Sequence, residues 1–283
     1  MVHTSRSQSN HHLAKHMDEV AEYNQKRWSA LVQAGVSFGK PFVDFNRDKA
    51  LDFLDEWAEV RRLGFTDFTS HDVLCLASGG GQQSVCFSLL GANVTVLDLT
   101  PEQLDGDRAM AQKYGFDVQI EQGDMRDLSR FPDASFDLVY QPYSINFVPD
   151  PLLVLSEVGR VLRENGRYYL QFANPLFNME ETDWTEKGYP IRQPYIQGQS
   201  STPEDFLWHV EQPDGSIKKM EGPQEFTHTL STLVNGLGNN GLHIFAMYEG
   251  PVGDPSAEPG TWEHMKTYLP FWPAFWARKN TSL

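Results

Sequence analysis

Short apolar runs recur through the middle of the chain, at 73–76, 94–98, 118–120, 136–140 and 168–172. Between the first two, Val85, Cys86, Leu89 and Leu90 fall on one side of a helix that Gly91 ends. Thr100-Pro101-Glu102-Gln103 supplies a cap, a proline at the first helical position and a capping-box partner, and Asp150-Pro151 starts another helix. Strands and helices in alternation predict a parallel sheet wound on both faces.

The flanks read differently. Residues 1–16, rich in Ser, His, Asn and Gln, read as a flexible leader. His11, His12 and His16 sit at helical spacing, but no carboxylate or cysteine completes a ligand set, so no metal is expected. Over 17–70, Val20, Tyr23, Trp28, Leu31 and Val32 form one helical stripe and Leu51, Phe53, Leu54, Trp57 and Val60 another. Gly39-Lys40-Pro41 separates them, so two or three helices precede the first strand. Residues 174–227 break the alternation with aromatics, prolines and acids. Within them, 206–209 and 217–220 around Pro213-Asp214-Gly215 predict a β-hairpin, and the whole segment reads as an insertion over the strand ends. A helix over 228–237 and strands over 243–248 and 272–277 would finish a sheet domain built from 71–173 and 228–283.

Chemistry concentrates where the first strand stops. Ser78-Gly79-Gly80-Gly81-Gln82-Gln83 follows it, and the next strand ends in Asp98, 19 residues after Gly79. Glycines let backbone pass close to a ligand, and a carboxylate at that strand end accepts both hydroxyls of a ribose. Two ligands compete for such a loop, a dinucleotide and S-adenosylmethionine. The third glycine of a dinucleotide fingerprint is Ser84 here, which weakens that reading. In Gln122-Gly123-Asp124-Met125 a second acid suits an adenine exocyclic amine, and Met125 packs on the ring.

Composition narrows the field. With 283 residues, 40% of them hydrophobic, the chain can bury a core for one elaborated domain. A net charge of -15 repels phosphate backbones, so nucleic acid is not the expected substrate. The two cysteines, Cys75 and Cys86, lie in apolar surroundings and read as buried thiols of a reducing compartment. No run of 18 apolar residues occurs and the first twenty are too polar for a secretory signal, so a cytoplasmic location without membrane association is expected.

Five stretches together carry a resemblance: residues 76–81, 96–100, 123–125, 135–139 and 158–167. In order and spacing they resemble the successive motifs of class I S-adenosylmethionine-dependent methyltransferases, closest to the small-molecule branch called UbiE-like or methyltransferase type 11. The resemblance covers 72–172 and, less closely, 241–279. It implies an α/β, Rossmann-like, doubly wound seven-stranded sheet with an antiparallel last strand, a helical lid at the N-terminal side, and an inserted cap. It also implies methyl transfer from S-adenosylmethionine to an oxygen or nitrogen of a small metabolite, with S-adenosylhomocysteine as product and a homodimer as one assembly. Two departures stand out: Cys75 where the family commonly has an acid, and Ala77 where it commonly has glycine.

On that reading Ser78, Gly79, Gly80, Gly81 and Gln82 hold the methionine half, Asp98 the ribose with Leu99 beside it, and Asp124 with Met125 the adenine. Gln141, also expected at the cofactor, opens the loop after the fourth strand, Gln141-Pro142-Tyr143-Ser144-Ile145-Asn146-Phe147, which superficially resembles the N-P-P-Y loop of amino-methylating enzymes. Tyr143 and Asn146 are its candidates for the acceptor, with Tyr143 also a candidate for catalysis. His228 is the candidate base because a histidine at the insertion's exit titrates in the right range. Trp184, beside Glu180, Glu181 and Asp183, is a candidate face for a cationic amine. From the lid, Tyr23 is expected at the cofactor and Trp28 at the acceptor. Rival readings are an NAD(P)-dependent oxidoreductase and a methyltransferase-like protein that binds cofactor without transferring methyl.

Overall fold

Strand β1 (Asp72–Leu76) is apolar almost throughout because both of its faces are covered. Leu74 and Leu76 point to one side, Val73 and Cys75 to the other, and all four are fully buried. The alternation continues in β2 (Asn93–Asp98), β4 (Phe136–Gln141) and β5 (Leu162–Gln171), which gives two cores. One gathers Leu97, Val139, Tyr168 and Leu170 beneath Val154, Leu155 and Val158 of α5 (Pro151–Val161) and Leu233 and Leu237 of α6 (Leu230–Asn239). The other gathers Val96, Leu138, Tyr140 and Tyr169 beneath α2 (Arg47–Ala58), α3 (Gln82–Leu89) and Leu104 of α4 (Pro101–Tyr114). The computed structural model describes residues 18–39, 45–176, 183–202, 206–250 and 252–280, so the leader, its histidines, Glu180 and Glu181 lie outside the described residues.

With β3 (Val118–Gln122), β8 (Leu242–Tyr248) and β9 (Ala274–Lys279), the sheet has seven strands in the order β3-β2-β1-β4-β5-β9-β8. Strands β1 to β5 run parallel, whereas β9 is antiparallel to both β5 and β8. The strand order reverses between β1 and β4, and a crevice opens at the carboxyl ends of strands at such a switch point. Among the described residues no helix is long and apolar enough to cross a membrane.

Two elements roof that crevice. Helix α1 (Glu19–Gln33) starts where the Asp18 carboxylate accepts from Ala21 N at 2.9 Å. It is fastened to the loop after β2 by Gln25 Nε2, which donates to the Leu99 carbonyl at 2.8 Å, and by Ser29 Oγ, which donates to Glu102 at 2.7 Å. The hairpin of the insertion, β6 (Leu207–Glu211) and β7 (Ile217–Glu221), forms its own two-stranded sheet. It packs Val210, Trp208 and Met220 on Leu31 and Trp28 of α1.

Three local readings need correction. The helix expected from residue 228 begins at Leu230 with Thr229 as its cap, so His228 lies outside it. Thr100 makes no side-chain capping bond, because its hydroxyl goes to Asp98, whose carboxylate also takes the Thr100 amide that the Gln103 side chain was expected to satisfy. Finally, turns rather than a helix join β3 to β4.

Candidate functional site

The glycine loop is held from two sides. Asp98, at the end of β2, accepts from Gly79 N at 3.0 Å and from Thr100 N at 2.8 Å. A Cβ on Gly79 would lie 2.6 Å from Gln103 Cβ and 3.2 Å from Asp98 Oδ2, so only glycine lets strand end and loop close up. From behind, Asp107 of α4 accepts from Gly80 N at 3.0 Å and from Ser84 Oγ at 2.5 Å. Gly81, with φ of 87°, rests on α4, where a Cβ would meet the Gly106 carbonyl at 2.9 Å. Burial pushes the Asp107 carboxyl up to about 7, and it pushes Asp98 up while the Thr100 and Gly79 amides pull it back. Ala77, at the turn out of β1, has φ of 47°, a left-handed conformation natural to glycine.

A cavity of about 1180 Å³ starts at this loop and runs under α1 to the insertion. Ser78, Gly79, Gln82, Asp98, Leu99, Asp124 and Met125 line one end with Gln83 and Gln103. Gly80 and Gly81 do not line it, since they face α4. The amide oxygens of Gln83 and Gln103 are buried without a hydrogen-bond partner among the described residues, and buried polar atoms of that kind call for one. Asp124 is not the free acid its sequence position suggested. Arg126 grips it, with Nε donating to Oδ1 at 3.0 Å and Nη2 to Oδ2 at 2.6 Å, while Nη1 reaches Asp18 on the lid at 2.6 Å.

Gln141 is fully buried and turned away from the cavity. It accepts from the Tyr168 hydroxyl and donates to Ser144 Oγ at 3.0 Å and Met125 Sδ at 3.3 Å, which makes it a support for the loop that follows. That loop and the insertion build the far end. Asn146 lines the cavity, but its amide is spent: Nδ2 donates to the Phe226 carbonyl at 2.9 Å and Oδ1 accepts from Ala173 N at 2.8 Å. Tyr143 also lines the cavity, and its hydroxyl donates to the Glu225 carboxylate. Burial, with the Glu225 charge added, pushes the Tyr143 phenol far up, so it serves as a donor and not as a base. Gln171 accepts from Tyr143 N at 3.1 Å, which leaves its buried Nε2 without a partner among the described residues.

Besides Gly80, Gly81 and Gln141, three more expected site residues do not line the cavity. His228 is fully buried, does not line the cavity, and has Nε2 at 3.0 Å from the Ile145 carbonyl and Nδ1 at 3.0 Å from Gln197 Nε2. Burial pushes its pKa down, and both ring nitrogens are occupied in holding the insertion to the loop, so it has no route to a reacting atom. Tyr23 lies under the Arg27 guanidinium outside the cavity, and Asn24, one residue on, faces inward. Trp184 stacks in a cluster with Tyr189, His264 and Tyr268, and its neighbour Asp183 pairs with Arg192. Trp28 does line the cavity, against Phe147 and Trp208. Sequence reasoning missed Asp107, Gln103, Gln171 and Glu225. No local pattern marks the last two, while Gly106-Asp107 inside a helix was the available signal for the first.

Comparison with known proteins adds four findings. The methyltransferase domain family matches residues 74–170, from β1 to near the end of β5. The uncharacterized methyltransferase YbaJ of Bacillus subtilis is 31% identical over 248 residues, 84% of this chain and 93% of that protein, so the likeness extends into the lid and the insertion. A ubiquinone biosynthesis O-methyltransferase of Xanthomonas oryzae is 31% identical over 108 residues, 38% of this chain and 45% of its own length. Among solved structures, an S-adenosylmethionine-dependent methyltransferase from Clostridium acetobutylicum has the same fold, with a TM-score of 0.56 at 16% identity, covering 89% of this chain and 96% of that one.

Proposed function

This chain belongs to the class I S-adenosylmethionine-dependent methyltransferases, and we propose that it methylates an oxygen or nitrogen of a small metabolite. The observation that carries the reading is the continuous cavity of about 1180 Å³ running from the glycine loop to the insertion. One ligand site commonly occupies about 300–1,000 Å³, so this volume suits a cofactor with an acceptor beside it. The Xanthomonas relative, named for an O-methyltransferase of ubiquinone biosynthesis, supports a small-molecule acceptor.

The residues at the loop end fit the cofactor. Asp98 would take the ribose hydroxyls, and Gln83 and Gln103, whose amide oxygens lack a partner among the described residues, are the candidates for the ammonium of its methionine half. Leu99 and Met125 would flank the adenine, with the Asp124 and Arg126 pair at the edge. When bound, the cofactor supplies a methyl carbon already activated by a sulfonium, so the chain's own work is alignment and exclusion of water. Segment 174–227 is proposed as the acceptor cap and α1 as the lid, since both line the far end.

The oxidoreductase alternative is weakened by Ser84, whose hydroxyl is committed to Asp107 where a dinucleotide loop would have glycine. Cys75 carries no argument for a silent binder, because its thiol is fully buried in the sheet core and away from the cavity. Calorimetric titration with S-adenosylmethionine and with NAD(H) tests the reading: binding of the first and not the second is expected, and the reverse would overturn it. A metabolite screen read out by S-adenosylhomocysteine release then finds the acceptor.

A further inference from the structure

The far end of the cavity holds one carboxylate in a peculiar position. Glu225 lines the cavity, and burial pushes its pKa up, opposed only by the Tyr143 hydroxyl. No cation pairs with it among the described residues. The one basic side chain among the described residues lining the cavity is Arg126, at the other end, already engaged by Asp124 and Asp18. An ionised carboxylate so placed is unfavourable unless a ligand brings the missing charge.

The walls are suited to a cation. Four rings run edge to face from beside Glu225 across the chamber: Tyr143 to Phe147 at 5.9 Å between centroids, Phe147 to Trp28 at 5.4 Å, and Trp28 to Trp208 at 5.5 Å. Such rings cover an apolar body and attract positive charge to their faces. Gln171, whose Oε1 accepts from Tyr143 N at 3.1 Å, lines the same chamber, and its buried Nε2 has no partner among the described residues.

We propose that the methyl acceptor is an amine, delivered as an ammonium on an aromatic or otherwise apolar body, and that Glu225 is the residue that binds it. The proposal rests on the methyltransferase reading above. An ammonium supplies the charge and up to three donors, whereas a hydroxyl supplies one donor and no charge. Glu225 then takes one N–H proton, which leaves the nitrogen its lone pair to form the C–N bond. The methyl carbon's bond to sulfur breaks with its electron pair staying on sulfur. Tyr143 donates a hydrogen bond to that carboxylate and carries none of the charge that selects an ammonium.

Two probes of equal shape test this, tyramine and its hydroxyl counterpart 2-(4-hydroxyphenyl)ethanol, titrated into the full chain saturated with S-adenosylhomocysteine at neutral pH. The readout is the change in intrinsic tryptophan fluorescence, to which Trp28 and Trp208 of the chamber contribute. Wild type is expected to prefer tyramine by at least about tenfold. Glu225→Gln is expected to abolish that preference with S-adenosylhomocysteine affinity unchanged. Tyr143→Phe, which keeps the carboxylate, is expected to preserve it, and it stands in should Glu225→Gln fail to fold. Equal binding of the probes, a preference that survives Glu225→Gln, a preference lost in Tyr143→Phe, or no binding of either probe at millimolar concentration would overturn the proposal. Failure of S-adenosylhomocysteine itself to bind would instead overturn the methyltransferase reading.

Discussion

Removing the Asp98 carboxylate is expected to damage stability and cofactor binding by separable amounts. In Asp98→Ala the amides of Gly79 and Thr100 lose acceptors at 3.0 and 2.8 Å in a buried setting. Each bond to a charged acceptor contributes about 1.5–3 kcal/mol, and the desolvation that raises the Asp98 pKa offsets part of it. A net loss of about 2–4 kcal/mol follows, which for a domain of this size lowers Tm by roughly 5–12 °C. The ribose contacts are an additional loss, expected to weaken S-adenosylmethionine binding at least about tenfold, or 1.4 kcal/mol. Thermal denaturation measures the first and calorimetric titration, run well below the variant's Tm, the second. Asp107→Asn is the control, since it disturbs the same loop from behind without lining the cavity. If affinity falls in both variants in proportion to Tm, the loop's shape and not a ribose contact is responsible. A folded Asp98→Ala that binds with wild-type affinity would refute the site assignment outright.

Asp107 also makes a pH prediction. Its folded pKa, raised from 3.8 to about 7, means the folded state holds the proton more tightly, so this group's contribution to stability is full below the unfolded value and is lost as pH rises through about 7. Asp107→Asn is therefore expected to flatten the decline in Tm across that window, and an unchanged slope would argue against a buried titrating carboxyl. Ala77→Gly, at φ of 47°, is expected to raise stability by about 0.5–1 kcal/mol, because relief of a left-handed alanine outweighs the extra freedom of an unfolded glycine; chemical denaturation that finds a loss would point to a packing role for the Ala77 methyl.

Much of the sheet was legible because the signals that specify it are local. Alternation within five residues tells which side of β1 each side chain takes, and Gly91 and Gly115 end their helices whatever lies around them. The glycine loop and Asp98 were legible for the same reason, since strand, turn and strand lie in one continuous stretch. The start of β5 was not. Leu162–Gln171 opens with Arg163, Glu164 and Asn165, charged or polar and partly exposed, and it becomes a strand there through its partner Phe136 and not through its own pattern.

The far end of the site is a different case, because its chemistry is made by contacts between distant positions. Glu225 meets Tyr143 across 82 residues and Asp107 meets Gly80 across 27, and nothing near Glu225 distinguishes it from a solvated acid. His228 shows the converse. A histidine before a helix looks the same in sequence whether its ring meets a cavity or, as here, the Ile145 carbonyl. In α1 the error is one of phase. Large side chains defined the expected stripe through Val20 and Tyr23, yet at that end the buried positions are Ala21 and Asn24, one position over, while Leu31 of the same stripe is buried as expected. A small alanine lets the helix sit close over the cavity, and a buried asparagine is tolerated because all its polar atoms are used. Asn24 Nδ2 donates to the carbonyls of Phe147 and Gln224 at 3.0 and 3.1 Å, and Oδ1 accepts from Gln224 N at 2.7 Å. One polar side chain thus ties the lid at once to the loop after β4 and to the segment that carries Glu225, a role hydrophobic periodicity cannot report.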